Sequence, residues 1–136
     1  MNATVIDASV MGPLLVPDER DSEHSSLVGL LESGTVIVPG HWHLEVASLG
    51  RSAVLRKRLD RDSYIGGLDA LGGYSITVDP LTASNAWTQS LRLALRHQLT
   101  PYDAAYLELA IRLGSPLLCD DIALANAASA EGVKLL

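Results

Sequence analysis

Residues 100–121 read TPYDAAYLELAIRLGSPLLCDD, and their reading decides the fold. Thr100 followed by Pro101 is a helix start: a hydroxyl able to cap, then a proline whose missing N–H costs nothing at the first helical position. The helix runs to Gly114, a residue suited to the left-handed turn that ends a helix. Pro116-Leu117-Leu118-Cys119 then reads as a short apolar strand, closed by two acids, Asp120 and Asp121. A helix, a strand, and polar groups at the strand's carboxyl end make one unit of an α/β domain.

Working outward, the same alternation recurs. Thr4-Val5-Ile6 is a β-branched run ended by Asp7, with Ser9 available to cap a short helix over residues 10–16 that stops near Pro17. Pro17-Asp18-Glu19-Arg20-Asp21 is a polar loop, and Ser22 caps a helix over residues 23–32 with Leu27, Leu30 and Leu31 as its buried stripe. Thr35-Val36-Ile37-Val38 is the second strand. Pro39 opens a helix carrying Trp42, Val46 and Leu49 at helical spacing. A further helical stretch over residues 54–71 breaks at Gly72-Gly73, and Tyr74-Ser75-Ile76-Thr77-Val78 is the third strand. Thr82 caps a long helix to about His97. After the opening stretch come a helix over residues 122–131 and a last short strand over residues 133–136. Strands separated by helices imply a parallel sheet covered on both faces. The expected architecture is a three-layer α/β/α sandwich around a mostly parallel sheet of four to five strands, one domain spanning residues 1–136.

Composition narrows the function classes. Hydrophobic residues make up 48% of the 136, which suits a globular domain, and no apolar run approaches the ~20 residues of a membrane helix. The start of the chain does not read as a signal peptide, because Asp7 interrupts its apolar stretch and no basic segment precedes it. A cytoplasmic protein is expected. The lone Cys119 rules out an internal disulfide and a cysteine-rich zinc site, and reads as a small hydrophobe at a strand end. The net charge of −6 speaks against a nucleic-acid partner only in total, since Arg51, Arg56, Lys57, Arg58 and Arg61 crowd one short segment.

In open α/β sheets, ligands bind beyond the carboxyl ends of the strands. Asp7 follows the first strand, Asp120 and Asp121 follow the fourth, and Asp103 lies in the first turn of the helix before it. Glu45 lies one to two turns into the helix after the second strand. Each acid alone has an ordinary role: Asp7 or Asp121 as a helix cap, Asp103 against a helix dipole, Glu45 on a solvated face.

Together, Val5-Ile6-Asp7-Ala8-Ser9, Pro39 with Trp42-His43-Leu44-Glu45-Val46-Ala47, Leu99-Thr100-Pro101-Tyr102-Asp103-Ala104-Ala105-Tyr106 and Pro116-Leu117-Leu118-Cys119-Asp120-Asp121 resemble the PIN-domain ribonucleases. Within that family they resemble the VapC-type toxins of toxin–antitoxin pairs, over essentially the whole chain. The resemblance implies an endoribonuclease dependent on magnesium or manganese, with Asp7, Glu45, Asp103 and Asp121 as catalytic metal ligands. It further implies an RNA substrate, a cognate antitoxin seated near the first helices, and a homodimer. Cys119 departs from the Thr or Ser common at that position, and a thiol is a poor ligand for a hard cation. Asp120 competes with Asp121 for the fourth place.

The chemistry agrees with the resemblance. Carboxylates ~4 Å apart repel by roughly 4 kcal/mol per pair near a surface, and divalent cations, which favour oxygen ligands, remove that repulsion. His41 and His43 lie two apart, so on a helix they diverge and do not share an ion. His41 shares a face with Glu45 and could contact it or the substrate. The Arg51, Arg56, Lys57 and Arg58 cluster could follow an RNA backbone or form an ordinary solvated face. Tyr102 could stack on a base or pack at a helix start. A haloacid-dehalogenase-like phosphohydrolase is the rival enzyme, but it needs a second aspartate where Ser9 stands. A phosphate-receiver module would need a late lysine, for which only Lys134 is available. A catalytically inactive PIN-like interaction domain is the third alternative.

Overall fold

Short runs of β-branched and aliphatic residues form four strands: β1 (Thr4–Ile6), β2 (Val36–Val38), β3 (Ile76–Val78) and β4 (Leu117–Leu118). In the computed structural model, which describes residues 2–16 and 24–136, they pair in parallel in the order β3-β2-β1-β4. Val5 of β1 stands between Ile37 of β2 and Leu117 of β4, so β1 is central and both its neighbours are apolar. A parallel sheet exposes apolar side chains on both faces and must be covered twice. The covering helices are α1 (Gly12–Leu15), α2 (His24–Glu32), α3 (Trp42–Leu55), α4 (Arg61–Leu71), α5 (Thr82–Asn85), α6 (Gln89–His97), α7 (Pro101–Leu113) and α8 (Ile122–Ala130), with a 3-10 turn at Ala8–Met11. This is the expected three-layer α/β/α sandwich.

The chain leaves β1 for β2 and β3 on one side, then returns to place β4 on the other. The strand order therefore reverses between β1 and β4, and a crevice opens at their carboxyl ends.

Helix α7 is the interior helix. Its residues Ala104, Ala105, Tyr106, Leu107, Glu108, Leu109 and Ala110 are all buried, as expected of a helix packed on every side. Thr100 caps it by accepting a hydrogen bond from the Asp103 N–H, worth about 1 kcal/mol. Gly114 ends it with φ +63°. The charge within α7 is neutralised locally: Arg112 bonds Glu108 one turn back and Asp79 beyond β3. The Glu108–Arg112 pair has an ordinary helical spacing, but the link to Asp79, distant in the chain, was not visible in the sequence.

Several sequence expectations are corrected. Residues 54–71 are not one helix: Val54 and Leu55 close α3, Lys57 turns left-handed at φ 60°, and Asp60 caps α4 through the Ser63 N–H. The long helix from Thr82 to His97 is two, α5 and α6, interrupted before Gln89, where Thr88 is neither helical nor extended. Thr82 does not cap α5; its hydroxyl bonds Asp79 and accepts from the Gly40 N–H. Helix α3 begins at Trp42 rather than Pro39, because Pro39 and Gly40 form the turn leading in. Ser9 caps no helix and lies within the 3-10 turn. The last strand shrinks to a single bridge of Leu135 to Leu117. The polar loop at residues 17–21 and the cap at Ser22 lie outside the described residues.

Tyr64 shows how tightly the α3–α4 pair is built. Its hydroxyl donates to the Ala47 carbonyl at 2.6 Å, and its ring fills the space a side chain at Gly50 would need. A Cβ there would come within 1.9 Å of the ring.

Candidate functional site

Each acid owes its place to a local feature of the chain. Asp7 follows β1, and its N–H donates to the Leu118 carbonyl of β4 at 2.9 Å, which ties it to the switch point. Glu45 lies in the first turn of α3, after β2. Asp103 lies in the first turn of α7, below the Thr100 cap. Asp121 is the N-cap of α8, accepting from the Leu124 N–H at 3.0 Å. The amino ends of three helices thus accompany the carboxyl ends of the strands, and their dipoles offset part of the negative charge.

The four acids line one open cleft of about 290 Å³ together with Ala8, Ser9, Ser48, Leu49 and Ser52. Asp120 does not line it. That residue is exposed, and only its backbone N–H turns inward, to the Ser9 hydroxyl. Geometry therefore favours Asp121 over Asp120 as the fourth acid of the cleft.

The electrostatics report mutual repulsion. Asp7 is 4% exposed and its carboxyl is pushed up to about 6, chiefly by burial and then by the charges of Asp103 and Glu45, against the bond from Ser9. That bond, Ser9 hydroxyl to Asp7 Oδ2, is 2.6 Å long. Asp103 is also raised, first by burial and then by Asp121 and Glu45. Glu45 behaves oppositely. Burial opposes its charge, but hydrogen bonds from His41 and Tyr106 hold its carboxyl below the usual value. The Cys119 thiol is pushed up to about 11 by burial and by Asp7, Asp121 and Asp120, so it stays protonated and is no ligand for a hard cation.

Ser48, Leu49 and Ser52 follow Glu45 at spacings of three, four and seven, one stripe of α3 facing the cleft. Ser48 and Ser52 were missed in the sequence, although that periodicity would have found them. Tyr106 was missed for another reason: an aromatic one turn after Asp103 reads as core, and only the fold shows its hydroxyl donating to Glu45. His41 reaches the same carboxylate at 3.3 Å and donates to the Tyr102 carbonyl at 3.0 Å. His43 lies edge-on to Trp42 and lines a different, apolar hollow.

Tyr102 is exposed beside His41, with ring centres 5.8 Å apart. Arg51, Arg56, Lys57 and Arg58 are exposed at the end of α3 and the turn after it, outside the lining of the cleft. Arg56 stands one turn beyond Ser52 and so extends the cleft-facing stripe outward. Leu27 and Leu31 are buried in the core, and Leu30 packs partly buried against it.

Two rival constellations lose their key residue. Ser9, where a dehalogenase-like enzyme needs its second acid, is committed as a hydrogen-bond donor to Asp7. Lys134 sits beside the start of β4, its carbonyl bonded to the Leu117 N–H, and is not among the residues lining the cleft.

A family model for the PIN domain matches residues 4–130. Two Mycobacterium tuberculosis proteins named ribonuclease VapC1 are each 33% identical over 132 residues, covering 93% of this chain and 92% of their own length. A Pyrobaculum aerophilum protein named ribonuclease VapC3 is 31% identical over 123 residues, covering 90% of this chain and 92% of its own. A crystal structure of a P. aerophilum protein superposes with a TM-score of 0.71 at 19% identity, covering 98% of this chain and 83% of that one. At that identity the likeness speaks for the fold alone.

Proposed function

We propose, because this chain belongs to the PIN-domain family, that it is a divalent-metal-dependent endoribonuclease of the VapC toxin type. The observation that carries the reading is the gathering of Asp7, Glu45, Asp103 and Asp121 around one open cleft at the switch point of the sheet.

Among the described residues, no three His, Cys, Asp or Glu side chains form a ready-made cage. Magnesium does not require one: it keeps several waters and binds through one or two carboxylates plus substrate phosphate. The donors here are carboxylates and hydroxyls, the oxygen set such a cation prefers. Asp7, buried, and Asp103, partly buried, both have carboxyls raised by burial and by neighbouring acids, and they are the pair that gains most from a cation. They would hold it together with Glu45 and Asp121, which line the same cleft. When bound, such an ion supplies Lewis acidity to a phosphodiester and acidifies a water for attack.

The chain's own part is positioning. Burial and the neighbouring acids raise the Asp7 and Asp103 carboxyls, so positive charge in the cleft would favour their ionised forms. Ser9 fixes Oδ2 of Asp7, and the Asp121 carboxylate is oriented by its bond to the Leu124 N–H. Ser48 and Ser52 offer hydroxyls along the cleft wall. Arg51, Arg56, Lys57 and Arg58 neutralise RNA phosphates outside it, and Tyr102 offers a face for a base. Ser9 and His41 are accessory groups, and Asp120 contributes through the backbone N–H that it donates to the Ser9 hydroxyl.

Magnesium or manganese is the cofactor of this reading, RNA the substrate, and a cognate antitoxin the inhibitor. A homodimer in the cytoplasm is its setting, and no described helix is long and apolar enough to cross a membrane. The deciding assay is cleavage of an RNA panel in chelator, magnesium and manganese by wild type, Asp7→Asn and Asp103→Asn. Cleavage in wild type only, and only with metal, is expected. Cleavage in chelator, or full activity in both variants, defeats the proposal.

A further inference from the structure

Tyr106 is completely buried, yet it carries a hydroxyl where phenylalanine would fill the same space. An interior hydroxyl without a partner is costly, so its bond matters, and the acceptor is Oε1 of Glu45. His41 reaches the same oxygen, with Nε2 3.3 Å from Oε1. Neither contact involves Oε2.

The surroundings close into a ring. The same His41 Nε2 donates to the Tyr102 carbonyl at 3.0 Å, so one N–H is shared between that carbonyl and Oε1, and the imidazole lies edge-on to the Tyr106 ring at 5.3 Å. Tyr102 and Tyr106 both belong to α7 and flank Asp103. Glu45 belongs to α3. The ring therefore couples the two helices that carry these acids. A half-exposed glutamate left to itself samples many rotamers, and fixing one costs side-chain entropy. Here that cost falls at folding rather than at ligand binding.

We propose that Tyr106 and His41 form a clamp on Oε1 of Glu45, positioning the carboxylate so that Oε2 serves as a metal ligand. Tyr106 and His41 are positioning residues: they act through Glu45 and touch neither metal nor RNA. The inference rests on the acidic cleft being the metal site.

Manganese binding by calorimetry and by paramagnetic resonance, without RNA, tests both readings separately. Wild type, Asp103→Asn, Tyr106→Phe, His41→Ala and His41→Gln are compared, each with its metal-free unfolding midpoint. Removing the phenol or the imidazole is expected to weaken manganese binding about 10–100-fold, the usual effect of losing a group that orients a ligand. His41→Gln, which restores a side-chain N–H, recovers part of that loss. A group that mattered only for packing would lower the midpoint and leave the Kd of the folded protein unchanged. A Kd within about twofold of wild type in both Tyr106→Phe and His41→Ala, with Asp103→Asn still losing the metal, overturns the clamp alone. Undiminished binding in Asp103→Asn, or none in wild type, overturns the metal site and the clamp together. If Tyr106→Phe does not fold, His41→Ala at the helix start carries the decision.

Discussion

Replacing Asp7 with Asn removes a buried charge while keeping the side chain's shape and its ability to accept from Ser9. The Asp7 carboxyl rises from 3.8 to about 6 on folding. Between those values the folded protein holds more protons than the unfolded chain, so stability falls as pH rises through that window. A shift of about two pKa units corresponds to about 3 kcal/mol, lost once pH exceeds about 6. Metal-free Asp7→Asn is therefore expected to be more stable than wild type at pH 7, by up to about 3 kcal/mol. The advantage should vanish near pH 4, where wild-type Asp7 is protonated when folded. Urea unfolding in chelator at half-unit steps from pH 4 to 8 reads both quantities. Adding manganese should reverse the order, because only wild type keeps the carboxylate that binds it. Parallel stability curves for the two proteins across the whole range, or a less stable variant at pH 7 without metal, would refute the claim that Asp7 sits in a repulsive buried cluster.

Gly50→Ala drives a methyl group into the Tyr64 ring, which already lies within 1.9 Å of the position a Cβ would take. A loss of about 1–3 kcal/mol by denaturant unfolding is expected, and an unchanged midpoint would mean that α3 and α4 slide freely. Arg51→Gln with Arg56→Gln, made in an Asp103→Asn background that binds RNA without cutting it, should lower the salt slope of single-stranded RNA affinity by about 0.7 per arginine. An unchanged slope would assign this cluster to an ordinary solvated face.

The parts of the fold that rest on local chemistry were legible in the chain. Thr100-Pro101 and Gly114 bound α7 as their capping chemistry requires, and the strands coincide with β-branched and leucine runs. What escaped depends on neighbours distant in sequence. Lys57 adopts φ 60°, a conformation that lysine itself gives no reason to expect. The interruption at Thr88 lies in a pattern of apolar spacing that continues through it, so periodicity alone runs α5 and α6 together. The segment at residues 133–136 meets only Leu117, too little pairing for a strand. The same division holds in the cleft. Positions after strands pointed to Asp7 and Asp121, and the capping motif to Asp103. Tyr106 and the serines of α3 became visible only when α3 was laid against α7.

The central claim is that the cleft bounded by Asp7, Glu45, Asp103 and Asp121 is a divalent-metal site. Crystals of wild type and Asp103→Asn grown in chelator and then soaked in manganese, with data collected at the manganese edge, test it most directly. The account predicts an anomalous peak bonded to Asp7 and Asp103 in wild type and absent from the variant. An empty cleft in wild type, with manganese found elsewhere on the molecule, would contradict it.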